Sequence, residues 1–434
     1  MKKIISFLLA AAMCASMMVG CSGDSGTSQA SEASSQPASS DNASESTEST
    51  SGGAAKEATF WHYFTSVNGE VSQAFIDEYN ASQDAVKINF EFVPREELQK
   101  QLTIGLVSQE LPDMAFLDNP DQAAYAAMGL FADLTDRFNA WDENQFQEAI
   151  LNSAKYDGKI YGLPHASNCL ALFYDKDMLA EAGVEPPTTW SELEDAAAKL
   201  TKDNVYGFGF SAIKNEEGTC HFTPFLYSAG GTFNQVNSAE GIEALTFLSN
   251  MVQKGYASKE NLNWTQADVE KQFEAGNVAM VTQGCWIIPN LESETPDKNW
   301  GVTTIPAADG KETATMLGGE NIVIINNSDC VDECWDFLTW FLSRENNIEF
   351  CKQVNRLSPR SDVTGEDVFG DDEVMALFAE QLKTAVPRGP HAKWPEISSA
   401  IVTAEQEALS GVKTPEQALN DAQVKIDEIN ASLE

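Results

Sequence analysis

The chain has 434 residues, with 66 Asp and Glu against 27 Lys and Arg and a formal net charge of −39. So negative a chain is repelled by polyphosphate backbones and anionic head groups, which argues against nucleic acid or an acidic lipid surface as a partner. With 43% hydrophobic residues, including 23 Phe and 9 Trp, it can bury large cores over two or three domain lengths.

Lys2-Lys3 and the apolar run Ile4–Met13 read as the charged and hydrophobic regions of a secretory signal peptide. The run is too short for a comfortable membrane span. In Met17-Met18-Val19-Gly20-Cys21 a small glycine stands directly before a cysteine, and everything beyond is abruptly polar. This resembles the lipobox of bacterial lipoproteins, although Met18 and Val19 depart from the commonest Leu-Ser/Ala choice. The resemblance implies cleavage between Gly20 and Cys21, with residues 1–20 as the leader and the Cys21 thiol diacylated, which anchors the mature chain on the outer face of a membrane. An ordinary signal peptide cut elsewhere, or an uncleaved anchor, is the alternative; Cys14 is the poorer acyl acceptor because bulky Met13 precedes it. From Ser22 to Ala55 there is no aromatic residue and almost nothing apolar larger than alanine. Such a segment cannot bury enough surface to offset the entropy of ordering it, so residues 21–55 are expected to form a lipid-bearing flexible tether reaching on the order of 30 Å.

Beyond the tether, strand and helix signals alternate. Ala58–Phe64 is a strand, and Val71–Asn80 carries its apolar residues at helical spacing. Val86–Val93 is a strand, Glu96–Ser108 a helix and Asp113–Leu117 a short strand. This βαβαβ order implies an α/β protein with a mostly parallel sheet covered on both faces, and such sheets bind ligands beyond the carboxyl ends of their strands. Tyr63, Phe64 and Thr65 lie at one such end and Asp118-Asn119 at another, where a turn and helix cap is the competing role. Asp157-Gly158-Lys159 reads as a hairpin turn. Leu170–Tyr174 is a strand, followed by a helix from Asp175 that stops at Gly183. Thr189 and Glu192 fit a capping box for the helix Ser191–Leu200, with Trp190 as core. Tyr206–Phe210 is a strand, Phe222–Ser228 a helix ending at Gly230-Gly231, and Ala239–Gly255 another helix. In Phe273–Trp286 a helix ends at Gly276, a buried strand follows, and Gly284 turns the chain so that Trp286 stands at the strand's carboxyl end. An indole there is either a core plug or a flat platform for the CH-rich face of a sugar ring.

Six cysteines remain beyond Cys14 and Cys21: Cys169, Cys220, Cys285, Cys330, Cys334 and Cys351. Their spacing is irregular and so large a domain needs no staples. Cys330 and Cys334, four apart on a helix, would share a face, but no His lies near them, and free thiols are expected rather than a metal site.

Several of these stretches together carry a second resemblance. Tyr161-Gly162-Leu163-Pro164, Phe173-Tyr174-Asp175-Lys176-Asp177, Pro187-Thr188-Thr189-Trp190, Phe273–Trp286, Gly318-Gly319 before Ile322–Ile325, and Leu357-Ser358-Pro359-Arg360 occur in an order similar to that of the extracellular solute-binding proteins of carbohydrate ABC importers, the family that includes maltose-binding protein. The match runs from about Lys56 to Glu434. It implies a two-lobed periplasmic-binding-protein-like fold (type II), each lobe a mixed sheet flanked by helices. The first lobe would be residues 56–165 with 314–354 and the second 168–308 with 358–434. Hinge crossings would fall near Pro164–Asn168, Ala308–Thr315 and Asn355–Pro359, with a sugar held in the cleft at the hinge and lobe closure presenting the protein to its permease.

The resemblance further implies ligand contacts from Tyr63, Asp118, Asn119, Asn168 and Tyr227, stacking platforms at Trp286 and Trp394, and close backbone approach at Gly318 and Gly319, with Glu320 beside them. Arg360 would offer a fork of donors. No catalytic residue, cofactor or metal is implied. The partners would be a mono- or oligosaccharide and the transmembrane permease subunits, for a monomer lipid-anchored through Cys21 on the extracellular face of a Gram-positive-type cell membrane. Two other classes are open: the same fold binding a polyamine, peptide or metal chelate, and a secreted glycoside hydrolase. A hydrolase needs two carboxyl groups set across the scissile bond, and with so many acids such pairs carry no information. His62, His165, His221 and His391 are scattered, and neither a nucleophile elbow nor a phosphate loop is present.

Overall fold

The computed structural model describes residues 55–433. The leader, Cys21 and the tether up to residue 54 lie outside the described residues. The strands in chain order are β1 (Lys56–His62), β2 (Val86–Phe92), β3 (Met114–Asp118), β4 (Lys155–Tyr156), β5 (Lys159–Ile160), β6 (Leu163–Pro164), β7 (Leu170–Asp175), β8 (Tyr206–Gly209), β9 (Val278–Gly284), β10 (Trp300–Thr303), β11 (Thr315–Leu317), β12 (Glu320–Ile324) and β13 (Ala385–Pro387).

The first lobe is built on a sheet of order β2-β1-β3-β12-β6. β1 runs parallel to both β2 and β3, as the βαβαβ pattern predicts, and β12 runs antiparallel to β3 and β6. The two-residue period of a strand sends alternate side chains to opposite faces. Thus Met114, Phe116, Ile322 and Ile324 enter one core with Phe60 and Phe337, while Ala115, Leu117 and Val323 enter another with Leu98 and Leu102. Both faces are therefore covered, and every residue of β3 is buried.

The second lobe carries a sheet of order β10-β7-β9-β8. Here β7 is antiparallel to both β9 and β10, and only the β8–β9 pair is parallel. Leu172 and Met280 face the core that holds Trp190, and Phe173 and Val281 face the opposite one. The capping box is present: Glu192 N donates to Thr189 Oγ1 at 3.2 Å and Thr189 N donates to Glu192 Oε2 at 3.2 Å. The helix expected at Phe222–Ser228 begins earlier, at Glu216, where Asn215 caps it by accepting from Glu217 N at 2.9 Å. Its first turn, Glu216-Glu217-Gly218, has no apolar periodicity to announce it.

Three short crossings join the lobes and bond to one another. Ser167 and Leu357 exchange backbone hydrogen bonds of 2.7 and 2.9 Å, and Asn168 and Gly318 exchange bonds of 3.1 and 2.9 Å. The middle crossing thus falls at Gly318-Gly319, later than the expected Ala308–Thr315. The cause is β11, which pairs with β13 and is tied to the second sheet by Thr315 Oγ1, a 2.8 Å donor to Leu170 O. Conversely Val363 and Val368 enter the first lobe's core, so the chain returns to the second lobe only with Met375 and Phe378. The six described cysteines are free and buried, and burial pushes the Cys330 and Cys334 thiols up. Among the described residues no group of His, Cys, Asp and Glu is placed to hold a metal ion, and no helix is long and apolar enough to cross a membrane.

Candidate functional site

The carboxyl ends of β1 and β3, the start of β12 and the carboxyl end of β9 converge on one cavity of about 330 Å³, a small-molecule size. From the first lobe come Tyr63, Phe64, Asp118 and Asn68, and from the second Trp286, Glu217, Gln266, Glu270 and Asn290. The crossings add Asn168, Gly318, Gly319 and Arg356 beside Glu320, and the segment after β13 adds Arg388.

Of the residues expected at the site, Tyr63, Asp118, Asn168, Trp286, Gly318, Gly319 and Glu320 all line this cavity. Trp286 is half-buried, and its carbonyl accepts from Asn68 Nδ2 of the opposite lobe at 3.4 Å. A Cβ at Gly284 would stand 1.8 Å from its ring, so only glycine lets the indole fold back on the strand end. Gly319 sits at φ +134°, a conformation that side chains rarely adopt, with Ala166 O 2.5 Å from where its Cβ would be.

Four expected contacts lie elsewhere. Asn119 does not line the cavity; its Nδ2 donates to Leu317 O at 3.4 Å, supporting the crossing behind it. Tyr227 packs edge-on against Phe233 at 5.3 Å, and its hydroxyl accepts from Phe233 N at 3.5 Å. Trp394 is 3% exposed, packs on Phe233, and donates through Nε1 to Glu216 Oε2 at 3.1 Å. An indole enclosed in this way has no free face for stacking. Arg360, 1% exposed, spends its fork on Asp362 at 2.8 and 2.9 Å and on Leu342 O at 2.7 Å, inside the first lobe.

The cationic groups of the cavity are instead Arg95, Arg356 and Arg388. Arg95 pairs with Asp118 and Arg356 with Glu320. Arg388 donates to Asp118 Oδ1 at 3.3 Å and to Glu216 Oε1 at 2.6 Å. Burial drives Tyr63 well above the usual phenol range, with Glu320 adding to it. Tyr63 Oη, Arg356 Nε and Arg388 Nε are buried and without a hydrogen-bond partner among the described residues. Arg388 lies in the Arg388-Gly-Pro-His-Ala-Lys-Trp394 stretch that the sequence singles out for its tryptophan. Arg356 is four residues from Arg360 in a crossing with no periodicity to tell the two apart.

Glu270 is 8% exposed and accepts from Asn290 Nδ2 at 2.8 Å. Burial pushes its carboxyl up to about 7. Asp121, which accepts from Gln99 Nε2 at 2.6 Å, is also pushed up to about 7, by burial and then by the nearby Glu216 and Asp118 carboxylates. An acid whose folded value lies above its unfolded one holds more protons when folded, so stability falls as pH rises from about 4.5 to 7. Glu270→Gln is expected to remove part of that fall: little difference from wild type at pH 4, and a higher melting temperature at pH 8. A difference independent of pH in thermal unfolding would remove Glu270 from the account.

Two lobes joined through three bonded crossings, with a cavity that mixes aromatic rings, amides, acids and arginines, define a protein that captures a small solute. Residues 74–376 match the family of bacterial extracellular solute-binding proteins, and the chain belongs to that family. It is 25% identical over 385 residues to the lactose-binding protein of Rhizobium radiobacter, covering 82% of this chain and 88% of that one. Among solved structures it is similar to an ABC transporter solute-binding protein from Thermotoga lettingae TMO bound with alpha-D-tagatose, at TM-score 0.81 and 26% identity, over 86% of this chain and 100% of that one. It is also similar to the cyclic alpha-maltosyl-1,6-maltose binding protein of Arthrobacter globiformis, at TM-score 0.70 and 28% identity, over 86% and 99%. The expected fold class and family are thereby borne out.

Proposed function

We propose that the chain is the sugar-capturing subunit of an ABC importer, closing its lobes on a mono- or oligosaccharide and handing it to permease subunits in the membrane. The observation that carries this reading is the cavity's balance. Asp118 and Glu320 are each paired with arginine, and burial pushes the Glu270 carboxyl up to about 7, beside the platform of Trp286 and the amides of Asn68, Gln266 and Asn290. Arginine-neutralised acids suit the many hydroxyls of an uncharged sugar, whereas a polyamine needs carboxylates left free to meet its ammonium groups. The lactose- and tagatose-binding relatives support the same class. Nothing in this role requires bond cleavage, so incubation with oligosaccharides should release no product.

A thermal-shift screen of residues 56–434 against mono- and oligosaccharides, polyamines and short peptides tests the reading, because a ligand that binds only the folded state raises the melting temperature. A rise with one saccharide class supports it; rises only with polyamines or peptides discard the sugar. The finer part of the proposal is a monomer held by acylated Cys21 on the extracellular face of a Gram-positive-type membrane. For it, Cys21→Ala should move the protein from the membrane fraction to the medium, and continued membrane retention would reject acylation at this residue.

A further inference from the structure

We propose that Arg388 is a specificity-determining residue that ties the two lobes together and donates its Nε–H to the bound solute. The inference rests on the sugar-capture reading of the same cavity. Arg388 is 3% exposed and stands between β13 and the helix Trp394–Leu409. Its Nη1 donates to Glu216 Oε1 at 2.6 Å, at the start of a second-lobe helix. Its Nη2 donates to Asp118 Oδ1 at 3.3 Å, at the end of β3 in the first lobe. Asp118 Oδ2 is taken by Arg95 of the first lobe. Charges of alternating sign therefore run Arg95, Asp118, Arg388, Glu216 from the first lobe to the second.

Within that series the Asp118–Arg388 bond is the link between lobes. When the lobes part, Asp118 keeps Arg95 and Arg388 keeps Glu216, so neither is left as a bare buried charge, the costly outcome for a broken buried pair. The link can thus open and re-form. The third nitrogen, Nε, is buried, unpartnered among the described residues, and belongs to a side chain that lines the cavity. A guanidinium fixed at both Nη atoms points its Nε–H in one direction. It selects a solute with an acceptor oxygen there, such as a sugar hydroxyl or ring oxygen, and rejects one that offers an ammonium or a methyl group. Lysine cannot reproduce this, because its ammonium has no rigid fork.

The test takes the saccharide that most raises the wild-type melting temperature and titrates it calorimetrically into wild type, Arg388→Lys and Asp118→Asn, each checked for folding by circular dichroism. Small-angle X-ray scattering of all three is recorded with and without sugar. Arg388→Lys is expected to lose roughly 10- to 100-fold in affinity, the scale of a charge-assisted hydrogen bond. Asp118→Asn is expected to enlarge the ligand-free radius of gyration and to lower apparent affinity through the smaller closed population. A folded Arg388→Lys that binds within twofold of wild type overturns the donor role, and unchanged ligand-free scattering of Asp118→Asn overturns the link. If Arg388→Lys does not fold, Asp118→Asn still tests the link and Arg388→Gln the donor. A wild type that binds no saccharide overturns the capture reading instead, and the scattering comparison still decides the link.

Discussion

Replacing Trp286 by alanine is expected to weaken sugar binding by roughly 2–4 kcal/mol while the ligand-free protein keeps its fold. The indole is half-buried, and one side of it lies against Gly284. Its backbone carbonyl is held by Asn68 from the opposite lobe. Its packing on Gly284 lies within one lobe and so positions the ring whether or not the lobes are closed; little ordering entropy is then lost on binding, and its apolar face can cover the CH-rich face of a pyranose. Isothermal titration against the sugar found in the thermal-shift screen measures the loss. Unchanged affinity together with a large drop in melting temperature would make Trp286 a core residue.

Arg360→Ala is expected to do the opposite: cost about 2–4 kcal/mol of stability and leave sugar affinity alone. Its guanidinium makes a bidentate pair with Asp362 and a further bond to Leu342 O, and lies over the Phe146 ring at 5.9 Å. Truncation leaves Leu342 O short of a donor and opens a cavity between the chain after the last crossing and the first lobe's core. Because the Asp362 side chain is 33% exposed, water can recover part of its solvation, which keeps the loss below that of a fully enclosed pair. Denaturant unfolding gives the stability change. A variant of normal stability with lost sugar binding would return Arg360 to the cleft.

These two residues illustrate what local sequence carries and what it does not. Trp286 was legible because Gly276, the apolar run and Gly284 bracket a strand, and a residue just past a strand's carboxyl end in such a sheet faces the ligand side. Tyr63 and Asp118 were placed by the same logic. Arg356 and Arg360, by contrast, sit in an extended crossing where backbone torsions decide which side chain turns toward the cavity. Arg388 and Trp394 share an irregular segment in which the indole is the more conspicuous group, yet it is enclosed against Phe233 and Glu216. Strand direction in the second sheet was likewise illegible, because alternation reports which face is buried and not which way the neighbour runs.

The lateral bonding of the crossings at Ser167, Gly318 and Leu357 has a mechanical consequence. Parallel ligaments tied side by side behave as a flexure: they yield in one direction and resist shear and torsion in the others. An opening about these crossings would separate the two half-sites without letting them slide, so that Trp286 and Tyr63 would return to the same register. A guest that completes both halves at that fixed register would be the one retained, so that contacts from both lobes would be read together.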